Sequence, residues 1–417
     1  MINKLLFTVA LLSISASSAE ADEAFPKYKL RITVPMMKNL VLKIDGTVSC
    51  PKENPTFAVL PGRDYKCDIN GAPIEVSDQV PLKTLGSAEQ TQSLKSAPKS
   101  ELVVHFTGTT TLPTSSKVMA SEDEFYCLNK VYPNPEILAD GGFYQCEFHV
   151  PPGFSIAWPN SNVVQRNGLQ FQVAKMSPIR SINTKTMGLQ LQMPTDFKPD
   201  EKYIQFLSSV LDKYVDRFGG LSFSTLQIGA IRRGKDSEVN GSPSGDQILF
   251  SRTALGAPLN ESSSHPSGSV VDLSDALRRL VIAHEISHLW FGDKFLGDEG
   301  WMVEGIPQYL GILETVKSVD KAHGEALLSF LKTVAQTAPQ KPISTAGLST
   351  RDGIILSNYS APLALYAIGE KVGHDALIVL IKDVYEKNEK PTFADFDTAF
   401  KSKFPQSVND WNRLWQL

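Results

Sequence analysis

Val281-Ile282-Ala283-His284-Glu285-Ile286-Ser287-His288-Leu289-Trp290 is the stretch on which this chain turns. Its two histidines stand four apart, so on an α-helix they lie on one face, one turn from each other. Two imidazoles so placed can share one zinc ion, each at roughly 2.0–2.1 Å. Glu285 directly follows the first histidine. It sits beside the metal rather than on it, where a carboxylate can act as general base. Leu280 to Ala283 is an apolar run, and Trp290-Phe291 continues that character. The helix is therefore expected to be buried, and unpaired His and Glu side chains there would carry a desolvation cost.

After His288, Trp301-Met302-Val303-Glu304-Gly305 opens a second expected helix, and Glu304 lies sixteen positions after His288. A short loop returning to an antiparallel helix can bring Glu304 opposite the histidines. Two His and one Glu bind a single Zn2+ and leave its fourth position open, which is the donor set of a catalytic rather than a structural zinc.

Working outward, helical periodicity continues. Apolar residues recur at helical spacing from Lys202 to Phe218, and Gly219-Gly220 stops that run. Asp272 or Ser274 can cap the metal-motif helix. Further helices are expected at Trp301 to Val316, Lys321 to Ala335, Ala361 to Val372 and Asp375 to Glu386, with short strands at Leu226 to Ile231 and Gln247 to Ser251. Before about residue 190 the pattern is β. Tyr28 to Val34, Leu40 to Ile44, Glu101 to Phe106, Phe143 to Val150 and Leu169 to Val173 are strand-like, and Pro, Gly, Asn and Asp separate them. The polar stretch Gly86 to Ser100 reads as a long loop or a boundary between β subdomains. The expected class is α+β: an N-terminal β domain over 22–195, then a mainly helical zinc domain over 196–417.

The N-terminus has the form of a secretory leader. Lys4 precedes the apolar run Leu5 to Ala16, and Ala19-Glu20-Ala21 supplies a small-x-small cleavage pattern, with Ser17-Ser18-Ala19 as an alternative. The run is short for a bilayer span. A signal peptide over 1–21 and a periplasmic or extracellular location are expected, with no membrane span in the mature chain. Four cysteines, Cys50, Cys67, Cys127 and Cys146, all precede the metal motif. In an oxidising compartment they are candidates for disulfides. Three connectivities are open, and neighbour pairing, Cys50 with Cys67 and Cys127 with Cys146, closes two short loops.

Across the 417 residues, charged side chains make up 21% and the formal net charge is -4. No basic stripe is present, which argues against nucleic acid as a partner. His105, His149, His265, His323 and His374 lack ligand spacing and read as structural or exposed; His265 alone lies in a Gly/Ser-rich loop near the zinc helix.

His284 to Gly292 and Trp301 to Tyr309 resemble the signature of the gluzincin metallopeptidases, in particular the aminopeptidase N and leukotriene hydrolase-like family. That family shows H-E-x-x-H-x-W-F-G followed by W-L-N-E-G, with a spacing between the second His and the Glu three residues longer than here. The resemblance implies a thermolysin-like catalytic domain, a zinc-dependent peptidase activity, and a peptide or protein as substrate. It also implies a tyrosine that stabilises the oxyanion. Tyr359, followed by Ser360-Ala361-Pro362-Leu363, resembles that tyrosine's context without its lysine, and Tyr366 and Tyr309 are alternatives. A counterpart of the C-terminal helical domain of longer members is not expected within these residues. A clean counterpart of the family's amine-binding G-x-M-E-N is absent. In its place stands Gly234 to Gly245, with Glu238 or Asp246 as the available acids. Exopeptidase, endopeptidase and a catalytically silent zinc-bearing binding protein all remain open at this level.

Overall fold

The computed structural model describes residues 27–38, 40–50, 56–59, 63–69, 72–73, 77–84, 87–93, 102–111, 118–128, 134–135, 142–165, 168–232, 240–258, 271–291, 300–338, 342–343, 350–388 and 391–415. The leader expected over 1–21 lies outside them, as do Glu238 and His265. The chain divides into two compact units, Met1–Lys175 and Met176–Leu417.

The first unit is built from β-strands. Along Lys27–Thr33, buried Tyr28, Leu30 and Ile32 alternate with exposed residues, as a strand with one face on a core requires. It pairs in parallel with Phe143–His149 and antiparallel with Val41–Cys50. Leu102–Thr111 and Arg63–Ile69 extend the same sheet. A second sheet runs Ser155–Ala157, Phe171–Ala174, Glu124–Cys127 and Val118–Ala120. Its Phe125, Phe171 and Val173 share one core with Tyr28, Leu30 and Ile32. A third sheet contains Ser87–Ser93, inside the stretch expected as a loop or boundary. That strand reads Ser-Ala-Glu-Gln-Thr-Gln-Ser, with no apolar alternation to reveal it.

The expected disulfides are not seen among the described residues. Cys127 and Cys146 are both thiols, standing on strands of different sheets. Burial pushes the Cys146 thiol up to about 12, so it stays protonated and unreactive. Cys50 pairs across from Leu102 and Cys67 from Phe106. They flank one strand on opposite sides and four residues apart along it, a register that does not give the Cα approach of under about 7 Å that a disulfide needs.

The second unit opens on a five-stranded sheet in the order Arg180–Asn183, Gly188–Gln192, Thr225–Ile231, Gln247–Ser251, Pro243–Ser244. Its three inner strands are parallel and its two outer pairings antiparallel. Because Leu189 and Leu191 pair with Leu226 and Ile228 and share their core, the division falls at 175/176, earlier than the 195/196 expected from the change in hydrophobic period.

Helices follow: α1 (Glu201–Phe218), α2 (Ser274–Phe291), α3 (Ile306–Ser318), α4 (Lys321–Ala335), α5 (Arg351–Ile355), α6 (Ala361–Val372), α7 (His374–Lys387), α8 (Phe393–Lys403) and α9 (Val408–Trp415). α1 starts where the Asp200 carboxylate accepts from Lys202 N–H and ends at Gly219, whose φ of 93° suits glycine. It buries Tyr203, Ile204, Leu207, Val210, Leu211 and Tyr214 in the core shared with Ile282, Ala283 and Ile286 of α2. At the start of α2, the Asp272 carboxylate accepts from the N–H and hydroxyl of Ser274. Among the described residues, no helix is long and apolar enough to cross a membrane.

Candidate metal centre

The second half of α2 is enclosed. Every residue from Ile282 to Ser287 is buried, so this helix has no polar face in that turn and a half. His284 is 8% exposed and Glu285 6%. α3 comes close because Gly311 has no side chain: a Cβ there would lie 2.9 Å from the Leu280 carbonyl and 3.3 Å from His284 N. That contact holds the helix after the metal motif against the motif itself.

Glu304 does not sit on an α-helix. Trp301–Gly305 forms a π turn that runs directly into α3. Such turns are rare and recur at functional sites. Trp301 anchors it, with its indole packed against Phe393, Phe396 and Trp415. The anchored turn delivers Glu304 Oε2 to 3.3 Å from His284 Nε2 and 3.7 Å from His288 Nε2, while the two Nε2 atoms stand 3.0 Å apart.

These distances test the metal directly. Ligands bonded to a tetrahedral zinc at 2.0–2.1 Å are about 3.3–3.4 Å from each other, and the three separations bracket that value. With both imidazoles neutral, two ring nitrogens and a carboxylate oxygen converging on one point are acceptors that a cation would satisfy. Burial works to raise the Glu304 carboxyl, but the His288 charge and hydrogen bonds from both imidazoles outweigh it and hold the group far below the usual carboxylate range. His284, His288 and Glu304 form the one possible metal-binding group of three or more His, Cys, Asp or Glu side chains among the described residues, and they fit zinc.

Tyr359 lies in a second π turn, Leu356–Ser360. The two π turns touch at Gly305, where a Cβ would come within 3.0 Å of both the Ser357 carbonyl and Ala361 Cβ. Tyr359 therefore rides on an element packed against the one that carries Glu304. Its side chain is half-buried, and burial raises its hydroxyl above the ordinary tyrosine value. Of the alternatives, Tyr309 is wholly buried and its hydroxyl is bonded to His374 Nδ1 at 3.0 Å, which removes it from contact with any substrate. Tyr366 packs its ring against His374 at 4.9 Å.

The other histidines are accounted for where they are described. His374 Nε2 bonds Glu370 at 2.7 Å, His323 pairs with the α4 cap Asp320, and His149 pairs with Glu147. Asp246 is buried in the hairpin between Pro243–Ser244 and Gln247–Ser251. Sequence reasoning missed both π turns, which have no period of their own, and it missed Gly241, which lies against Glu285.

No known family profile and no curated protein sequence matches the chain. Solved structures do. An M1 zinc metallopeptidase from Deinococcus radiodurans superposes with a TM-score of 0.65 at 17% identity, over 94% of each chain. A mutant of the Deinococcus radiodurans enzyme bound to a Tyr-ser-ala substrate gives 0.64 at 16%, over 94% of this chain and 95% of that one. A two-domain M1 zinc metallopeptidase mutant bound to L-arginine gives 0.67 at 16%, over 94% of each. The chain shares the fold of the M1 zinc metallopeptidases. At these identities the likeness speaks for the fold, and the donor set described above is this chain's own.

Proposed function

We propose that this protein is an exported zinc peptidase that hydrolyses peptide bonds, with His284, His288 and Glu304 holding one zinc ion. The observation that carries the proposal is the convergence of those three donor atoms within 4.8 Å of one another, with a buried carboxylate, Glu285, next in sequence to the first of them. The fold of proteins solved with an amino acid and with a peptide substrate supports the same reading. Export rests on the leader-like residues 1–21.

Bound zinc would supply a Lewis acid and bring the pKa of water down to about 7. The chain's own groups do the remainder. Glu285 takes a proton from the attacking water on its carboxylate and returns it to the leaving amine. Tyr359 donates its hydroxyl proton in a hydrogen bond to the oxygen on which negative charge develops. The fully enclosed turn of α2 keeps bulk water from the buried face of the site, which strengthens these interactions.

An endopeptidase is the second reading, favoured by one observation. Within the described part of the segment where the resembling family keeps its amine anchor stands the edge strand Pro243–Ser244, and Asp246 beside it is buried. Matched peptides with free and with acetylated N-termini separate the two, with Glu285→Gln as control. Trimming of free peptides alone, one residue at a time, is expected of an aminopeptidase. Internal cutting of both sets makes the protein an endopeptidase. No cutting by the zinc-loaded protein, or an unchanged rate in Glu285→Gln, would sink the peptidase assignment and leave a zinc-bearing binding protein.

A further inference from the structure

Glu285 is held against a glycine that no motif assigns. A Cβ built on Gly241 falls 2.5 Å from Glu285 Cγ, 2.9 Å from Glu285 Cδ and 3.1 Å from Phe250 Cδ1. Carbon atoms in favourable contact keep about 3.5–4.0 Å, so a methyl group cannot be added here with everything else in place. The demand for glycine is purely one of space. Gly241 is not among the glycines of positive φ, so its backbone would accept an L-residue.

What must yield is decided by how each side is fastened. Ser251 N–H donates to the Asn240 carbonyl at 2.7 Å and Leu249 N–H to the Ser242 carbonyl at 3.0 Å. With the pairs Pro243 to Ile248 and Ser244 to Gln247, these bonds follow a single antiparallel register in which Gly241 stands opposite Phe250. Asn240 is tied further, by its N–H to Ser251 Oγ at 3.0 Å and by its Oδ1 to Gly241 N–H at 2.8 Å. Ser251 Oγ pairs in turn with Thr253 Oγ1 at 2.9 Å. The backbone on both sides of Gly241 is therefore pinned. Across the contact, the backbone of α2 is clamped by α3 at Gly311. The Glu285 side chain, with its rotatable bonds, is the member free to turn away.

We propose that Gly241 is a positioning residue for Glu285: the missing side chain at a pinned ladder position fixes where the Glu285 carboxylate stands. The purpose of that position rests on the peptidase reading above; the contact itself does not. The edge segment thereby acts as a floor for the general base, and any side chain at 241 turns the carboxylate out of its place.

The test is Gly241→Ala, with Gly220→Ala as control, since a Cβ at Gly220 meets nothing within 4 Å. A misplacement of about 1 Å at a catalytic group costs roughly 10²-fold. Gly241→Ala is expected to bind zinc with wild-type stoichiometry, to lose about that much in kcat with little change in KM, and to add no further loss to Glu285→Gln, because the two act through one group. A merely structural defect would add to Glu285→Gln instead. Crystal structures of the zinc-loaded wild type and Gly241→Ala supply the readout that needs no activity: the carboxylate should move by about 1 Å or more. A carboxylate that keeps its place, or an unchanged kcat, overturns the inference. A wild type with no turnover whose carboxylate nevertheless moves in Gly241→Ala would remove the peptidase reading and leave the positioning role standing. Should Gly241→Ala not fold, Gly241→Ala with Phe250→Leu relieves the second contact and keeps the first, and the same criteria apply to it.

Discussion

At the scale of single residues, the site is a set of side chains each placed by a neighbour. His284 and His288 stand 3.0 Å apart, and four-residue spacing is what puts them on one face of the helix. Glu304 reaches them from a π turn at the helix start, a kind of turn that recurs at functional sites. Tyr359 depends on the matching π turn. Its hydroxyl is expected to stabilise developing negative charge, and burial keeps it protonated, hence a donor, through neutral and mildly alkaline pH. Tyr359→Phe removes that donor alone. Steady-state kinetics should show kcat reduced by about 10²–10³-fold with zinc content unchanged; loss below threefold would assign the oxygen's stabilisation elsewhere, with Tyr366 next in line.

At the scale of elements, α2 is the beam on which the site rests, and its first turn is fastened to α1. The Asp275 carboxylate accepts from Arg279 at 2.7 Å and Tyr203 at 2.9 Å, and pairs with Lys202 at 3.0 Å. Burial works to raise this carboxyl, but hydrogen bonds from Arg279, Lys202 and Tyr203 lower it from 3.8 to about 2. A carboxyl depressed in the folded state stabilises the fold above its unfolded pKa and loses that contribution as pH falls through its folded value. Asp275 is a third exposed, so solvent screening reduces the worth of these pairings to about 1 kcal/mol. Asp275→Asn is therefore expected to lower stability by about that amount at pH 7, by denaturant unfolding, with the difference shrinking between pH 4 and pH 2. A constant difference across that window would mean that packing, not charge, makes the junction. Deeper in the same layer, Glu314 of α3 is buried and paired with Lys213 and Arg217 of α1, so α1, α2 and α3 are tied by charge as well as by their apolar faces.

At the scale of the whole molecule, all three metal donors belong to the unit Met176–Leu417, drawn from α2 and the π turn that follows it. A ligand that binds only the folded state adds RT ln(1 + [L]/Kd), about 4 kcal/mol at a thousandfold excess over Kd. Removing zinc with a chelator should lower the melting temperature of that unit by several degrees, followed through tryptophan emission, since Trp290, Trp301, Trp411 and Trp415 all lie in it. Restoring zinc should restore the melt. An identical transition in both states would show that the metal does not join the two elements.

Sequence determined much of this by periodicity and spacing. The helix Lys321–Ala335 was readable end to end, as was Ala361–Val372, because apolar stripes at a 3.6-residue period have one good packing solution. His284, His288 and Glu304 were readable as a possible metal-binding group because metal chemistry demands those donors at such intervals. What only the tertiary structure decided involves pairing across distance. Gly188–Gln192 joins the sheet of the second unit because it hydrogen-bonds to Thr225–Ile231, a partner that local pattern does not name. Cys50 and Cys67 are neighbours in sequence order, and strand register sets them apart. Gly241 is a plain loop glycine until the fold lays Glu285 against it. Periodicity tells a residue which way to face, while steric space at one point is set by whichever distant segment arrives there.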